Sequence, residues 1–260
     1  MFSKWQLGIV LGSVVLLLLL YFAFPIVSTS KKGDKQEKET IITQLVTPDR
    51  LLREGKAAIE EEFLPAIETL EEQTANSSDS MEISENLKEL SSRWFKLNQP
   101  AIAGYYAVQV AEIDQTANAW SIAGTTFTLC IQKTESDEIR SYCASQAQVA
   151  LNKAIELEPG ELRHKVNLAV ALVESPPGDN PMAGILMLRE LEAENPDNPG
   201  ILYNLGRFAV KTGQYDKAIE RLEKALSLDS GSDVIACMLS QAYRGAGLNE
   251  KADEMSLRCK

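Results

Sequence analysis

The stretch "ILYNLGRFAVKTGQYDKAIERLEKALSLD", residues 201–229, carries two apolar stripes at helical spacing. Leu202, Leu205 and Ala209 form the first, and Ala218, Leu222 and Ala225 form the second. Steps of three and four place each set on one side of an α-helix. Between them "KTGQY" interrupts the pattern, and Gly213 marks a turn. The segment therefore reads as a helical hairpin. Gly206 and Ala218, twelve residues apart, are the small residues at which its two helices can cross closely. A bulky side chain at either position would push the helices apart.

With this hairpin as a ruler, the pattern recurs along the chain. One period later, Ala236-x2-Leu239-Ser240-x2-Tyr243 repeats the first helix, and Ala252 again lies twelve past Ser240. One period earlier, Leu168-Ala169-x2-Leu172 pairs with Gly184-x3-Leu188-x2-Leu191. There the spacing is fifteen, stretched by "SPPGDNP" at 175–181, whose prolines forbid helix continuation. Before that, Trp120-x2-Ala123-Gly124-x2-Phe127 pairs with Ala147-x3-Leu151-x2-Ala154 at a spacing of twenty-three. The excess around "CIQKTESDEIRSYCASQ" is helix-compatible. It reads as a hairpin-tip insertion, with Asp137, Glu138, Arg140 and Lys153 on one long second helix. The earliest copy, Leu87-x2-Leu90-Ser91-x2-Trp94 with Ala103-x3-Ala107-x2-Val110, returns to twelve.

Five tandem copies with W-x2-L-G-x2-Y and A-x3-F-x2-A character resemble the tetratricopeptide repeat (TPR) family. The resemblance covers about residues 84–260, as 84–116, 117–161, 162–198, 199–232 and 233–260. It implies an all-α fold, a right-handed superhelix of about five helical hairpins. It also implies that first-helix positions 2, 5, 9 and 12, with 6 and 13, face a concave groove. The residues that match are Arg163 and Asn167 in the third copy, Tyr203, Asn204, Arg207 and Lys211 in the fourth, and Gln241 and Arg244 in the fifth. These are the candidate peptide-groove residues. Asparagine can hydrogen-bond a peptide backbone in any sequence, and Arg207, Lys211 and Arg244 can collect carboxylates. The carboxylate clamp that binds chaperone tails needs lysine and arginine where the fifth copy has Val234 and Met238, so this sequence departs from that pattern.

Ahead of the repeats, residues 5–27 include the almost wholly apolar run Leu7–Val27, long enough to span a bilayer as a helix. No A-x-A site follows, which favours an uncleaved anchor. Residues 28–46 are mostly polar and lysine-rich and read as a linker. Residues 47–76 open on Thr47, Pro48 and Asp49, a helix-start signal. They continue as one amphipathic helix that Pro65 must kink or split. Its apolar face suits a cap on the first repeat, or a dimer seam; Gly8 and Gly12 offer the span a second dimer contact. The order of anchor, linker and array resembles single-span TPR proteins of Bacteroidota-type bacteria, at the inner membrane. Lys31, Lys32, Lys35 and Lys38 after the span favour a cytoplasmic array, with a periplasmic array as the other topology.

Composition narrows the function classes. The net charge of -11 in 260 residues repels phosphate backbones, so nucleic acid is excluded as the default partner. His164 is the sole histidine; it reads as a surface residue near a helix start, with no second histidine for a metal pair. No G-x-S-x-G or phosphate-binding loop occurs. No catalytic residue, cofactor or metal site is expected, and the chain reads as no enzyme. Cys130, Cys143, Cys237 and Cys259 read as buried small apolar residues or as two disulfides. Cys237 and Cys259 lie symmetrically about the last hairpin turn. Cys130 and Cys143 are offset by about 6 Å along the helix axes, which makes that bridge awkward. The expectation is a membrane-anchored adaptor that binds a protein or peptide; the alternative is a structural subunit of a permanent membrane complex.

Overall fold

The computed structural model describes residues 46–259. The expected span, most of the linker and the lysine cluster lie outside them. Among the described residues there are twelve α-helices, one 3-10 turn and no strand, and no helix is long and apolar enough to cross a membrane.

The region 47–76 forms two helices. Helix α1, Pro48–Ala58, starts as its sequence signals: Thr47 accepts a hydrogen bond from the Arg50 amide at 3.2 Å. It stops at Ile59 and Glu60, both extended, and a 3-10 turn at Glu61–Phe63 leads into α2, Leu64–Asn76. The break falls before Pro65 because proline lacks the amide donor that would continue the preceding turn and its ring clashes with the carbonyl four residues back, so a new helix starts with Pro65 in its first turn. The Glu60–Glu62 run sits in this break.

Ten further helices follow as five packed pairs, a TPR-like solenoid. The pairs are α3 Ser80–Lys96 with α4 Pro100–Asp114, and α5 Ala117–Lys133 with α6 Asp137–Leu157. Then come α7 Leu162–Glu174 with α8 Ala183–Glu194, α9 Pro199–Lys211 with α10 Tyr215–Leu228, and α11 Asp233–Gly245 with α12 Asn249–Ser256. Thr116, Ser136, Asn198 and Ser232 cap α5, α6, α9 and α11, each satisfying an orphan amide of the first turn.

Helix α2 packs on α3, and α1 lies on α4. Gly55 makes the second contact possible. A Cβ there would run into the Ile102 side chain and come within 3.3 Å of Trp94. Lys56 and Tyr106 both reach Glu71, at 2.6 and 2.8 Å, and Arg50 reaches Glu138 at 2.6 Å. These two helices pack on the first hairpin, where the sequence suggested one kinked helix.

Two expectations need correction. His164 is fully buried, because it falls in phase with the buried Ile201 and Ile235 of the next two first helices. Cys130 and Cys143 are bridged, with Cα atoms 6.1 Å apart, as are Cys237 and Cys259 at 5.3 Å. The axial offset at the first pair disappears because Thr134 and Ser136 are extended. They carry the chain past the end of α5 before α6 turns back, so Cys143 descends to the level of Cys130.

Candidate partner-binding face

The first helices α3, α5, α7, α9 and α11 present one side of the solenoid. How each meets the next differs along the chain, and those differences define the site. Helices α5 and α7 pack directly on one another. Asn167 Nδ2 donates to Ser121 Oγ at 3.2 Å, and Gln132 donates to Glu174 at 3.0 Å. Helices α7 and α9 are joined by charge: Glu174 meets Arg207 at 3.0 Å and Lys211 at 2.9 Å. The Glu174 side chain is only 5% exposed. Burial pushes its carboxyl up, but the hydrogen bonds and charges of Lys211 and Arg207 outweigh burial and hold it below the usual range.

Helices α3 and α5 behave differently. They are held apart by α4, and a cleft of about 550 Å³ opens between them. Ala107 and Val110 of α4 form its apolar floor, with Asp114 at one end; Phe95, Ala119, Ile122 and Leu129 form its walls. Phe95 and Ile122 are large apolar side chains left 42% and 52% exposed. The rim is polar and mostly neutral: Ser91, Ser92, Thr116, Asn118 and Thr126, with Lys88. Lys133, outside the lining, lies 3.0 Å from Asn98 Oδ1 and 5.9 Å from the Phe95 ring centre. A pocket with an apolar body and a few polar groups fits a ligand site.

The sequence reading named no residue here. The signal was present: the register that selected Tyr203 and Arg207 in the fourth copy selects Lys88, Ser92, Phe95 and Asn118 in the first two.

The named residues are distributed as follows. Arg163 is exposed on α7, and Asn167 is the tie to Ser121. Tyr203 is partly buried against the core of the last two hairpins. Asn204 donates to its own helix at the Gly200 carbonyl, 2.9 Å away. Arg207 and Lys211 hold Glu174, Gln241 is exposed, and Arg244 pairs with Asp253 at 3.1 Å. A carboxylate seeking Arg207 or Lys211 therefore competes with a nearly buried glutamate. Among the described residues, no group of three His, Cys, Asp or Glu side chains could hold a metal ion.

Residues 183–234, from α8 to the start of α11, match the family model of the tetratricopeptide repeat. No curated protein matches the chain. Among solved structures, the chain is similar to a crystal structure of MamA, at 20% identity and a TM-score of 0.40, covering 67% of this chain and 88% of that one. It is similar to MamA 41-end from Desulfovibrio magneticus RS-1, at 16% identity and 0.42, covering 67% and 92%. It is also similar to YrrB, described as a TPR protein with an unusual peptide-binding site, at 18% identity and 0.38, covering 76% and 90%.

Proposed function

We propose that this protein is a membrane-anchored, non-enzymatic adaptor whose first-helix face forms a concave groove for a protein or peptide. The observation that supports this most directly is the α3–α5 cleft, where Phe95 and Ile122 remain exposed beside an apolar floor. Arg163, Asn167, Tyr203, Asn204, Arg207, Lys211, Gln241 and Arg244 continue that face toward the C-terminus. The anchor is the apolar run Leu7–Val27. The paired cysteines favour an oxidising compartment. We weigh them above the lysine bias and place the array on the periplasmic side of the inner membrane.

Site-specific photo-crosslinking in intact cells tests the adaptor reading. Benzophenone side chains at Ile122 and at Tyr203 should each give a discrete partner adduct, whereas one at the 55% exposed Val149 of α6 should not. Adducts at all three, or at none, contradict the reading. A reporter active only in the periplasm, fused after Lys260, tests the topology; an inactive fusion returns the array to the cytoplasm.

A further inference from the structure

The adaptor reading leaves Lys133 without a role. Ile122, Thr126 and Leu129 line the α3–α5 cleft, and Lys133 completes their series along α5 at steps of four, three and four. Such steps keep all four residues on one side of the helix, with Lys133 one turn beyond the lining. Its Nζ donates to Asn98 Oδ1 at 3.0 Å and stands 5.9 Å from the ring of Phe95, a wall of the cleft. Both neighbours are neutral, and Lys133 makes no ion pair among the described residues.

The other end of the cleft is electrically matched. Lys88 Nζ lies 3.0 Å from Glu85 Oε1 and 3.2 Å from Asp114 Oδ2, and Asp114 also accepts the Ser84 hydroxyl at 2.7 Å. A second charge brought there would lose water without gaining a partner, which is costly. The cleft therefore complements one charge, negative, at the Lys133 end.

Between the ends, most side-chain polar groups are already bonded. The Ser91 hydroxyl donates to the Ala103 carbonyl at 2.9 Å, Thr126 donates to the Ile122 carbonyl at 2.8 Å, and Thr116 accepts the Ala119 amide at 3.2 Å. Ser92 and Asn118 make no side-chain hydrogen bond among the described residues. A polypeptide brings a donor and an acceptor with nearly every residue. A hydrocarbon chain brings none, and its burial needs no polar partner. The floor of Ala107 and Val110 and the walls of Phe95, Ile122 and Leu129 suit such a chain.

The spacing sets its length. Ile122 and Lys133 are eleven residues apart, about 16 Å along a helix. Three extended backbone bonds span about 3.3–3.6 Å, so an alkyl chain of about fourteen bonds covers that distance.

Going beyond the adaptor reading, we infer that the α3–α5 cleft binds a long-chain fatty acid, its alkyl chain along Ile122, Leu129 and Phe95 and its carboxylate on Lys133. The cleft is open along one side, so a bound chain still presents a face to a protein partner.

Photolabelling of the full chain in phosphatidylcholine nanodiscs, without reductant, tests this. The probe is a palmitate analogue with a mid-chain diazirine and a terminal alkyne, and mass spectrometry measures label per mole of protein. Peptides from α3 and α5 should carry the label. Tetradecanoate should suppress it at a concentration at least tenfold below that needed with methyl tetradecanoate or tetradecyltrimethylammonium. Lys133→Glu should lower the label at least fivefold, Lys133→Arg should keep it, and Ile122→Asp should lower it; circular dichroism confirms that all three fold. Label spread evenly over the array, equal competition by the three amphiphiles, or an unchanged label in Lys133→Glu overturns the inference. So does equal labelling of the cleft by a photoactivatable diacyl phosphatidylglycerol. If the cleft stays unlabelled while Ile122 yields a protein adduct in cells, the inference fails and the adaptor reading stands. If the cleft is labelled as expected and neither Ile122 nor Tyr203 yields a protein adduct, the inference stands and the adaptor reading fails.

Discussion

At the scale of the residue, the close crossing inside each hairpin is solved in three ways. In the second and fourth copies a glycine of the first helix faces a leucine; a Cβ on Gly206 would approach Leu222 to 2.6 Å. In the first and fifth copies a serine stands there and donates to the alanine carbonyl twelve residues on, Ser91 to Ala103 at 2.9 Å and Ser240 to Ala252 at 2.7 Å. In the third copy the glycine moves to the other helix: a Cβ on Gly184 would strike the Ala169 carbonyl and the Val173 amide. Backbone cannot yield as a leucine rotamer can. Gly184→Ala should therefore destabilise by about 1–3 kcal/mol, and thermal unfolding should show a larger loss than for Gly206→Ala. Equal losses would mean that α8 shifts freely. His164 gives a prediction of opposite sign. It occupies a position where the next two repeats have isoleucine, neither ring nitrogen has a hydrogen-bond partner, and Glu158 lies 3.5 Å from Nε2 without bonding geometry. Replacing an unsatisfied buried group with an apolar one relieves its desolvation cost. His164→Ile should leave the melting temperature unchanged or raise it, and a clear drop would reveal a role for the ring. Both readings were available in the sequence. The glycine exchange was legible from the repeat register, whereas His164 was misjudged because its polarity was weighed above its phase.

At the scale of the element, the three copies with intact spacing share a turn. Asn98, Gly213 and Gly247 each adopt positive φ, seven residues after Ser91, Gly206 and Ser240. That regularity made these hairpins readable. The tip of the second hairpin was not readable, because extended linker residues move one helix along the other in a way helical spacing alone does not encode. The joints between repeats were also hidden, since they depend on side chains more than thirty residues apart. Glu174 is such a joint, and its titration is testable. Its folded carboxyl is held below its ordinary value, so its contribution is complete above about pH 4.5 and is lost as pH falls through the folded value. Glu174→Gln should cost on the order of 1–2 kcal/mol at neutral pH, limited by the exposure of Lys211. The two proteins should converge in thermal stability as pH falls through the folded carboxyl's value. A constant difference across that range would show that packing, not charge, carries the joint.

At the scale of the whole described array, the core is not uniform. The largest cluster joins α1 to α6 and reaches Leu168 and Ala171, and most of the large fully buried side chains belong to it, among them Trp94, Phe127, Ile102 and Leu151. A second cluster holds α7 to α9, and a third, mostly of alanine and leucine, holds α9 to α12. In a repeat array stability is a sum of local and nearest-neighbour contributions, so the ends need not unfold together. The C-terminal end is the weaker one. Helix α12 is eight residues long, has no side-chain cap and fully buries only Ala252. Its tail is fastened by Cys237–Cys259 and by Arg258, which reaches Asp233 and the Ser230 carbonyl at 3.2 and 3.0 Å. A disulfide closing 22 residues is worth about 3 kcal/mol. Cys259 is exposed, whereas Cys130 and Cys143 are buried, so a mild reductant reaches the terminal bridge first. Trp94 and Trp120 both lie in the N-terminal hairpins, and Trp5→Phe removes the remaining tryptophan. Guanidinium unfolding of that variant should then show helicity falling before tryptophan fluorescence shifts. Mild reduction should lower the midpoint seen by circular dichroism and leave the fluorescence midpoint in place. Coincident transitions, with and without reductant, would mean that the small contacts between α7 and α9 couple the whole array into one cooperative unit.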